Sequence, residues 1–336
     1  METFFKRKHK KGWNYFVQVR RKGIKTICKT FATRIEAKRW ARQMETKLDR
    51  GDYSDYSEAS KVTLGDLFKR YINEGKHKHK KGWRIEEYKV GTLLKDSITD
   101  TNLIRLSTKH ISEFRDRRVM QVSPTTYNKD LSFISVVINT AMHDWGIYLP
   151  HNPCRLVKRE KEPNPRDRIL ADDEYQRLMK ACSSANRYLK PMINFSIETA
   201  IRKGELLAMH YEHINFEKRT LLIPETKTGK PRTIPLSPKA IQILQSQPRR
   251  LDGKVFPLSV DSLKAHWVRA RKKAKLSGFR FHDLRRTACS LLFEKGLSVP
   301  SVQLISGHAD PTVLLNTYTK LSAEKIALEL EKVGNK

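Results

Sequence analysis

His282-Asp283-Leu284-Arg285-Arg286-Thr287 sets a histidine and an arginine three positions apart at the start of a stretch patterned as a helix. On a helix that spacing puts both side chains on one face. Arginine is the side chain best shaped to hold a phosphate, through two parallel N–H donors. Four further stretches share this half of the chain. Upstream, Thr199-Ala-Ile-Arg-Lys-Gly-Glu-Leu206 carries Arg202 directly after an apolar segment ending at Ile201, an unusual place for an unpaired charge. Thr226-Lys-Thr-Gly-Lys-Pro-Arg-Thr-Ile-Pro-Leu236 carries Lys227 at a hairpin turn, where a flexible cation can reach a ligand. Downstream lie Gly307-His308-Ala309 and Asn316-Thr317-Tyr318. Arg202, Lys227, His282, Arg285 and His308 together would bind a phosphodiester and stabilise extra negative charge on it.

Tyr318 is the candidate nucleophile. Ten of the 11 tyrosines lie at or before Tyr211, so Tyr318 alone follows the histidine stretches. A free phenol ionises near pH 10, and neighbouring cations make that easier. The chain has no Walker A loop, no nucleophile elbow around a serine and no carboxylate cluster with metal spacing. Each stretch alone also fits a structural role. Arg202 fits a salt bridge to Glu205, Lys227 a solvated hairpin tip, His282 a satisfied core histidine, and Tyr318 a packed helix residue. The functional reading rests on the ordered set.

The rest of the 336-residue chain agrees with a polyanionic partner. The net charge is +31, of which +10 falls in residues 1–56, +7 in 57–160 and +14 in the remainder. Spread this way, the excess points to several modules that each touch nucleic acid rather than to one basic tail. No apolar run approaches the roughly 18–20 residues that span a bilayer. The basic start of the chain is followed by no apolar region of a secretory leader. Cys28, Cys154, Cys182 and Cys289 form no C-x-x-C pair, which argues against a zinc ribbon and fits a reducing compartment.

Three modules are expected. In residues 1–57, Trp13–Arg20 and Lys25–Phe31 read as strands around a turn at Gly23, and Thr33 with Glu36 forms a capping box for a helix carrying Ala37, Trp40, Met44 and Leu48. Residues 62–157 read as helical. Leu64, Leu67, Phe68, Tyr71 and Ile72 follow helical spacing, as do Tyr127, Leu131, Ile134, Ile138 and Met142 in a helix over 124–145. Between them, His77-Lys-His-Lys-Lys81 reads as a basic loop suited to phosphate contact or plain solvation. Residues 158–168, with Pro163 and Pro165, read as an extended linker. Residues 169–336 mix helices with strands at 220–223 and 233–236, and end in a tail helix with Ile326, Leu330 and Val333 at helical spacing.

The ordered set Arg202, Lys227, His282, Arg285, His308 and Tyr318 resembles the tyrosine recombinase, or phage integrase, family, whose pattern runs R…K…H-x-x-R…H/W…Y. The flanks Arg202-Lys-Gly-Glu-Leu, Lys227-Thr-Gly-Lys-x-Arg-x-x-Pro-Leu and His282-Asp-Leu-Arg-Arg-Thr agree with it. Two features depart from the family. Ala200 stands where the family has glycine, and the step from His308 to Tyr318 is one residue longer than is common. The close resemblance covers residues 165–320. It implies a multidomain, mainly α fold with small β-sheets: an N-terminal three-stranded β-sheet plus helix like the arm-type DNA-binding domain of lambda-type integrases, an α-helical core-binding domain, and a mixed α+β catalytic domain.

The resemblance also implies a reaction. Tyr318 attacks a phosphate of duplex DNA and forms a 3′-phosphotyrosyl link, so no ATP is needed. Arg202, Arg285 and His308 hold the non-bridging oxygens, His282 assists proton removal, Lys227 protonates the leaving 5′-hydroxyl, and Glu205 supports Arg202 from behind. Strands exchange through a Holliday junction in a homo-tetramer on DNA. Core sites and arm sites on double-stranded DNA are the implied targets, and host DNA-bending and directionality proteins the implied accessory partners. No metal, other cofactor or membrane is implied, and the expected location is the cytoplasm of a bacterial host. Two other readings share parts of this pattern: a type IB topoisomerase that breaks and rejoins strands without synapsis, and a non-catalytic DNA-binding protein. The DNA target and the phage, transposon or genomic-island origin are not encoded in these motifs.

Overall fold

The computed structural model describes residues 2–9, 12–164, 166–182, 186–225 and 229–318. It divides into two compact units, residues 1–163 and 164–336. No helix among the described residues is long and apolar enough to cross a membrane.

The first unit opens with an antiparallel sheet of β1 (Glu2–His9), β2 (Gly12–Arg21) and β3 (Ile24–Phe31), in the order β1-β2-β3. The sequence patterns mark only the second and third strands. β1 escapes them because Phe4-Phe5-Lys6-Arg7-Lys8 does not alternate, and it gains its place by pairing along its whole length with residues 12–19 of β2. Helix α1 (Arg34–Asp49) follows, capped by Thr33 Oγ1, which accepts from the Glu36 amide. Val17 and Val19 of the sheet meet Ala37, Ala41 and Leu48 of α1 in a small core. Cations lie over sheet aromatics, with Lys6 Nζ 4.3 Å from the Trp13 ring and the Arg7 guanidinium 4.4 Å from Phe16.

Four helices complete this unit: α2 (Leu64–Asn73), α3 (Trp83–Leu93), α4 (Thr108–Val119) and α5 (Pro124–His143). The apolar stripe of α2 (Leu64, Leu67, Phe68 and Tyr71) packs with Phe114, Tyr127, Ile134 and Ile138 in a core separate from that of the sheet. Buried Asp130 on α5 receives Arg118 at 3.0 Å and Lys89 at 3.1 Å, so α3 and α4 are tied to α5 through one carboxylate. The basic loop after α2 behaves differently from a solvated or phosphate-binding segment at one position. His77 is fully buried, with Nε2 3.0 Å from Glu87 and its ring beside Tyr71 and Trp83.

The stretch read as a linker is anchored on each side. Glu160 exchanges backbone hydrogen bonds with the Asn128 amide, and Glu162 accepts from Thr125 and Asn128. Beyond Pro163, Arg166 donates to the Gly278 carbonyl and Arg168 pairs with Glu174.

The second unit comprises α6 (Asp172–Cys182), α7 (Leu189–Thr199), α8 (Lys203–Leu207), the antiparallel strands β4 (Ile214–Asn215), β5 (Thr220–Ile223) and β6 (Arg232–Pro235), then α9 (Pro238–Gln245), α10 (Val260–Lys273), α11 (Asp283–Glu294), α12 (Val299–Ser306) and α13 (Pro311–Tyr318). Its main core joins α6, α7, the sheet, α9 and α10 around Phe195, Phe256 and Phe279. A smaller cluster of Ala200, Ala288, Cys289, Val302 and Leu314 holds α11, α12 and α13 together.

Candidate active site

The ends of four elements meet at this smaller cluster. Helix α7 stops at Ala200, which takes a left-handed conformation at φ 50° and ψ 21°. That turn lets the chain re-enter a helix at once. Arg202 is extended and caps α8, and its amide donates to Glu205 Oε2 at 3.2 Å. Across from it, His282 caps α11 and Arg285 lies in the first turn. Helix α12 ends at Gly307, also left-handed at φ 67°, and this turn delivers His308.

Side chains converge from these ends. Arg202 Nη2 donates to the Gly307 carbonyl at 2.6 Å, and Nη1 to Glu205 Oε1 at 3.1 Å. Arg285 is buried at 3% exposure, and its Nη1 donates to the Ala200 carbonyl at 2.6 Å. Its Nη2 lies 3.3 Å from His308 Nε2 and 3.5 Å from Nδ1. Such similar distances put the guanidinium over the imidazole ring rather than in line with one nitrogen. Ser306 Oγ lies 2.7 Å from His308 Nδ1, and Gln303 Nε2 donates to the His308 carbonyl at 3.0 Å.

The electrostatics follow from this crowding of cations. Burial, then the charges of Arg285, Arg202, His282 and Arg232, push the His308 pKa down to about 4. Burial and the Arg285 charge likewise hold His282 below the ordinary value, although its outer edge faces solvent. Both rings are therefore mainly neutral at neutral pH. For Glu205, burial pushes the pKa up, but the Arg232 hydrogen bonds and charge and the Arg202 amide outweigh it, and the net shift is downward.

Thus Arg202, Glu205, His282, Arg285 and His308 come together. Tyr318 closes α13, the helix that follows the His308 turn, and its side chain lies outside what is described. Lys227, which falls between β5 and β6 in the sequence, lies outside the described residues. One residue that the Lys227 flank includes, but to which sequence reading assigned no role, joins the group. Arg232, the first residue of β6, forks onto Glu205 with Nη1–Oε1 at 2.8 Å and Nη2–Oε2 at 2.7 Å. Its signal in the sequence was strand alternation: it shares the face of buried Ile234 two residues on. Among the described residues, no group of three or more His, Cys, Asp or Glu is placed to hold a metal ion.

Comparison with known proteins agrees with this geometry. Residues 168–325 match the phage integrase family. A putative integrase/recombinase of Haemophilus influenzae is 32% identical, over 92% of this chain and 86% of that protein. A shufflon-specific DNA recombinase of Escherichia coli is 34% identical, over 75% of this chain and 68% of that protein. In fold, a lambda integrase tetramer bound to a Holliday junction superimposes with a TM-score of 0.65 at 22% identity, over 96% of this chain and 98% of that one. The chain therefore belongs to the phage integrase family and is a tyrosine-type site-specific recombinase acting on DNA.

Proposed function

We propose that this chain cuts and rejoins duplex DNA through a 3′-phosphotyrosyl link at Tyr318, and exchanges strands through a Holliday junction as a homo-tetramer. The observation that carries the proposal is the convergence of Arg202, Arg285 and His308 on the Gly307 turn. Two guanidinium groups and a neutral imidazole there supply fixed N–H donors for the non-bridging oxygens of one phosphate. Their worth is greatest in the transition state, when those oxygens carry most charge. For His308 to act as a donor through Nε2, the Ser306 hydroxyl, 2.7 Å from Nδ1, must donate to that nitrogen.

His282, held neutral, takes the phenol proton as Tyr318 attacks. Lys227 protonates the 5′-hydroxyl as it leaves. The phosphodiester bond is exchanged for a phosphotyrosyl bond, so the reaction needs no outside energy source. Glu205 holds Arg202 in place. Residues 1–57 act as an arm-type DNA-binding domain, 62–157 as the core-binding domain, 158–168 as the linker and 169–336 as the catalytic domain with its tail helix. The lambda integrase in the comparison structure is a tetramer on a Holliday junction, which supports the same assembly here.

The test is covalent capture. A plasmid carrying the DNA that flanks the gene is incubated with the protein and denatured in detergent, and protein-linked DNA is counted. Wild-type protein should be trapped, and Tyr318→Phe should bind the DNA without being trapped. Trapping of the Phe variant would show that another residue is the nucleophile. Relaxation of a plasmid without that flanking DNA would favour topoisomerase action instead.

A further inference from the structure

We propose that Arg232 is a positioning residue that fixes the His308 turn against Arg202 and thereby sets the phosphate-holding group. This rests on the reading of the cluster as the site of phosphoryl transfer.

Four groups form a closed circuit. The Arg232 fork grips both oxygens of Glu205. Glu205 in turn receives the Arg202 amide and Nη1. Arg202 Nη2 holds the Gly307 carbonyl. The circuit closes through space: a Cβ built on Gly307 would stand 2.5 Å from Arg232 Nε and 2.6 Å from Cζ. The guanidinium therefore lies directly on the bare Cα of Gly307. His308 is the next residue, so its ring position follows from where this turn rests.

Three features separate positioning from ordinary ion pairing. The side chains are shielded, at 13% exposure for Arg232 and 6% for Glu205. A buried pair of this kind contributes little net stability compared with apolar residues of the same volume, so packing alone does not call for it. Second, Arg232 Nε is buried with no hydrogen-bond partner among the described residues. The group is thus held by the Glu205 fork and the Gly307 surface, the two contacts that fix the turn. Third, the charge is used. One carboxylate serves two guanidinium groups, and Arg232 is among the cations that keep the His308 ring neutral. Lysine would carry the charge but cannot fork onto both oxygens or lie flat on the glycine.

The experiment compares full-length wild type, Arg232→Lys, Arg232→Met, Glu205→Gln and Tyr318→Phe. Three quantities are read: affinity for a plasmid carrying the flanking DNA, the rate of covalent capture on it, and the His308 titration followed by NMR of isotopically labelled histidine. Both Arg232 variants should bind within about twofold of wild type and be captured at least tenfold more slowly. The His308 pKa should rise from about 4 in Arg232→Met, and less in Arg232→Lys. Combining Arg232→Met with Glu205→Gln should slow capture no further than the slower single change, because both break one circuit. Wild-type capture rates in both Arg232 variants, or multiplied losses in the double variant, would overturn the proposal. So would loss of folding in both Arg232 variants, which would make Arg232 a residue of the fold. If wild type is not captured, or Tyr318→Phe is, the underlying reading of the reaction fails instead. The His308 titration then decides the positioning role alone: no change in either Arg232 variant overturns it.

Discussion

Arg285 Nη1 donates a 2.6 Å hydrogen bond to the carbonyl of Ala200, across 85 positions of sequence. The bond exists because Ala200 turns its backbone left-handed, at φ 50°. An L side chain in that region costs about 1–2 kcal/mol. Ala200→Gly removes the strain but gives the unfolded chain more freedom, worth about 0.4–1 kcal/mol. Those two effects net to a gain of about 0–1.6 kcal/mol; losing the buried methyl of Ala200 costs about 0.8 kcal/mol, so the change in unfolding free energy should stay within about 0.8 kcal/mol of zero, with covalent capture unchanged. Chemical denaturation measures the first and plasmid capture the second, and a larger loss of stability would mean that the Cβ is better accommodated than the backbone angle implies.

Arg285→Lys keeps the charge and loses the fork. Lysine cannot reach the Ala200 carbonyl, the His308 ring and a phosphate oxygen together. One preorganised donor of this kind is worth about 10²–10³ in rate. Capture should fall by about that factor while DNA affinity changes little. A variant as fast as wild type would remove Arg285 from the phosphate-holding group.

Glu205→Ala leaves the shielded Arg232 guanidinium without a partner, and breaking such a pair costs about 3–5 kcal/mol. The pair also has a pH signature. The folded pKa of Glu205 lies below the ordinary value, so its stabilisation is complete above the unfolded value of about 4.3. It is lost as pH falls through the lower folded value. Denaturation between pH 6 and 3 should show this loss in wild type and a shallower one in Glu205→Gln.

The two histidines act in a higher window. His282 and His308 both have folded pKa values below 6.5, about 4 for His308. Between those limits the unfolded chain binds more protons, so stability is full above pH 6.5 and falls on acidification. His308→Gln should flatten part of that slope. Bound DNA should reverse the balance, since a phosphate anion beside the ring favours its protonated form, and the His308 resonance should titrate higher in the complex.

The +31 charge predicts steep salt dependence. If 6–10 phosphates are neutralised, affinity should drop by about 10³–10⁵ between 50 and 200 mM salt. Binding that stays flat over that range would contradict a DNA grip built mainly on lysine and arginine.

Much of this fold is legible where local chemistry is strong. Ser237 before Pro238 marks the start of α9, and the apolar stripe from Leu64 to Tyr71 marks α2. Elements without local periodicity escape notice. Helix α8 has five residues, too few for a turn pattern to repeat. Helix α12 contains Pro300 and is eight residues long, and β1 is defined by its partner strand. The candidate site divides in the same way. Arg202, His282, Arg285 and His308 stand in recognisable short motifs. Arg232 stands in the flank that follows Lys227, but its role depends on Glu205, 27 positions upstream. No local pattern encodes that meeting.

The small cluster beneath α11, α12 and α13 has a kinetic consequence. Among the described side chains of α13, only Leu314 is buried. Burying that leucine contributes about 1.5–3 kcal/mol to holding these residues in place. The described side chains of α13 are thus anchored by one apolar residue, Leu314. The Leu315 amide, the first of α13 with a partner inside the helix, should exchange faster than amides in the middle of α11.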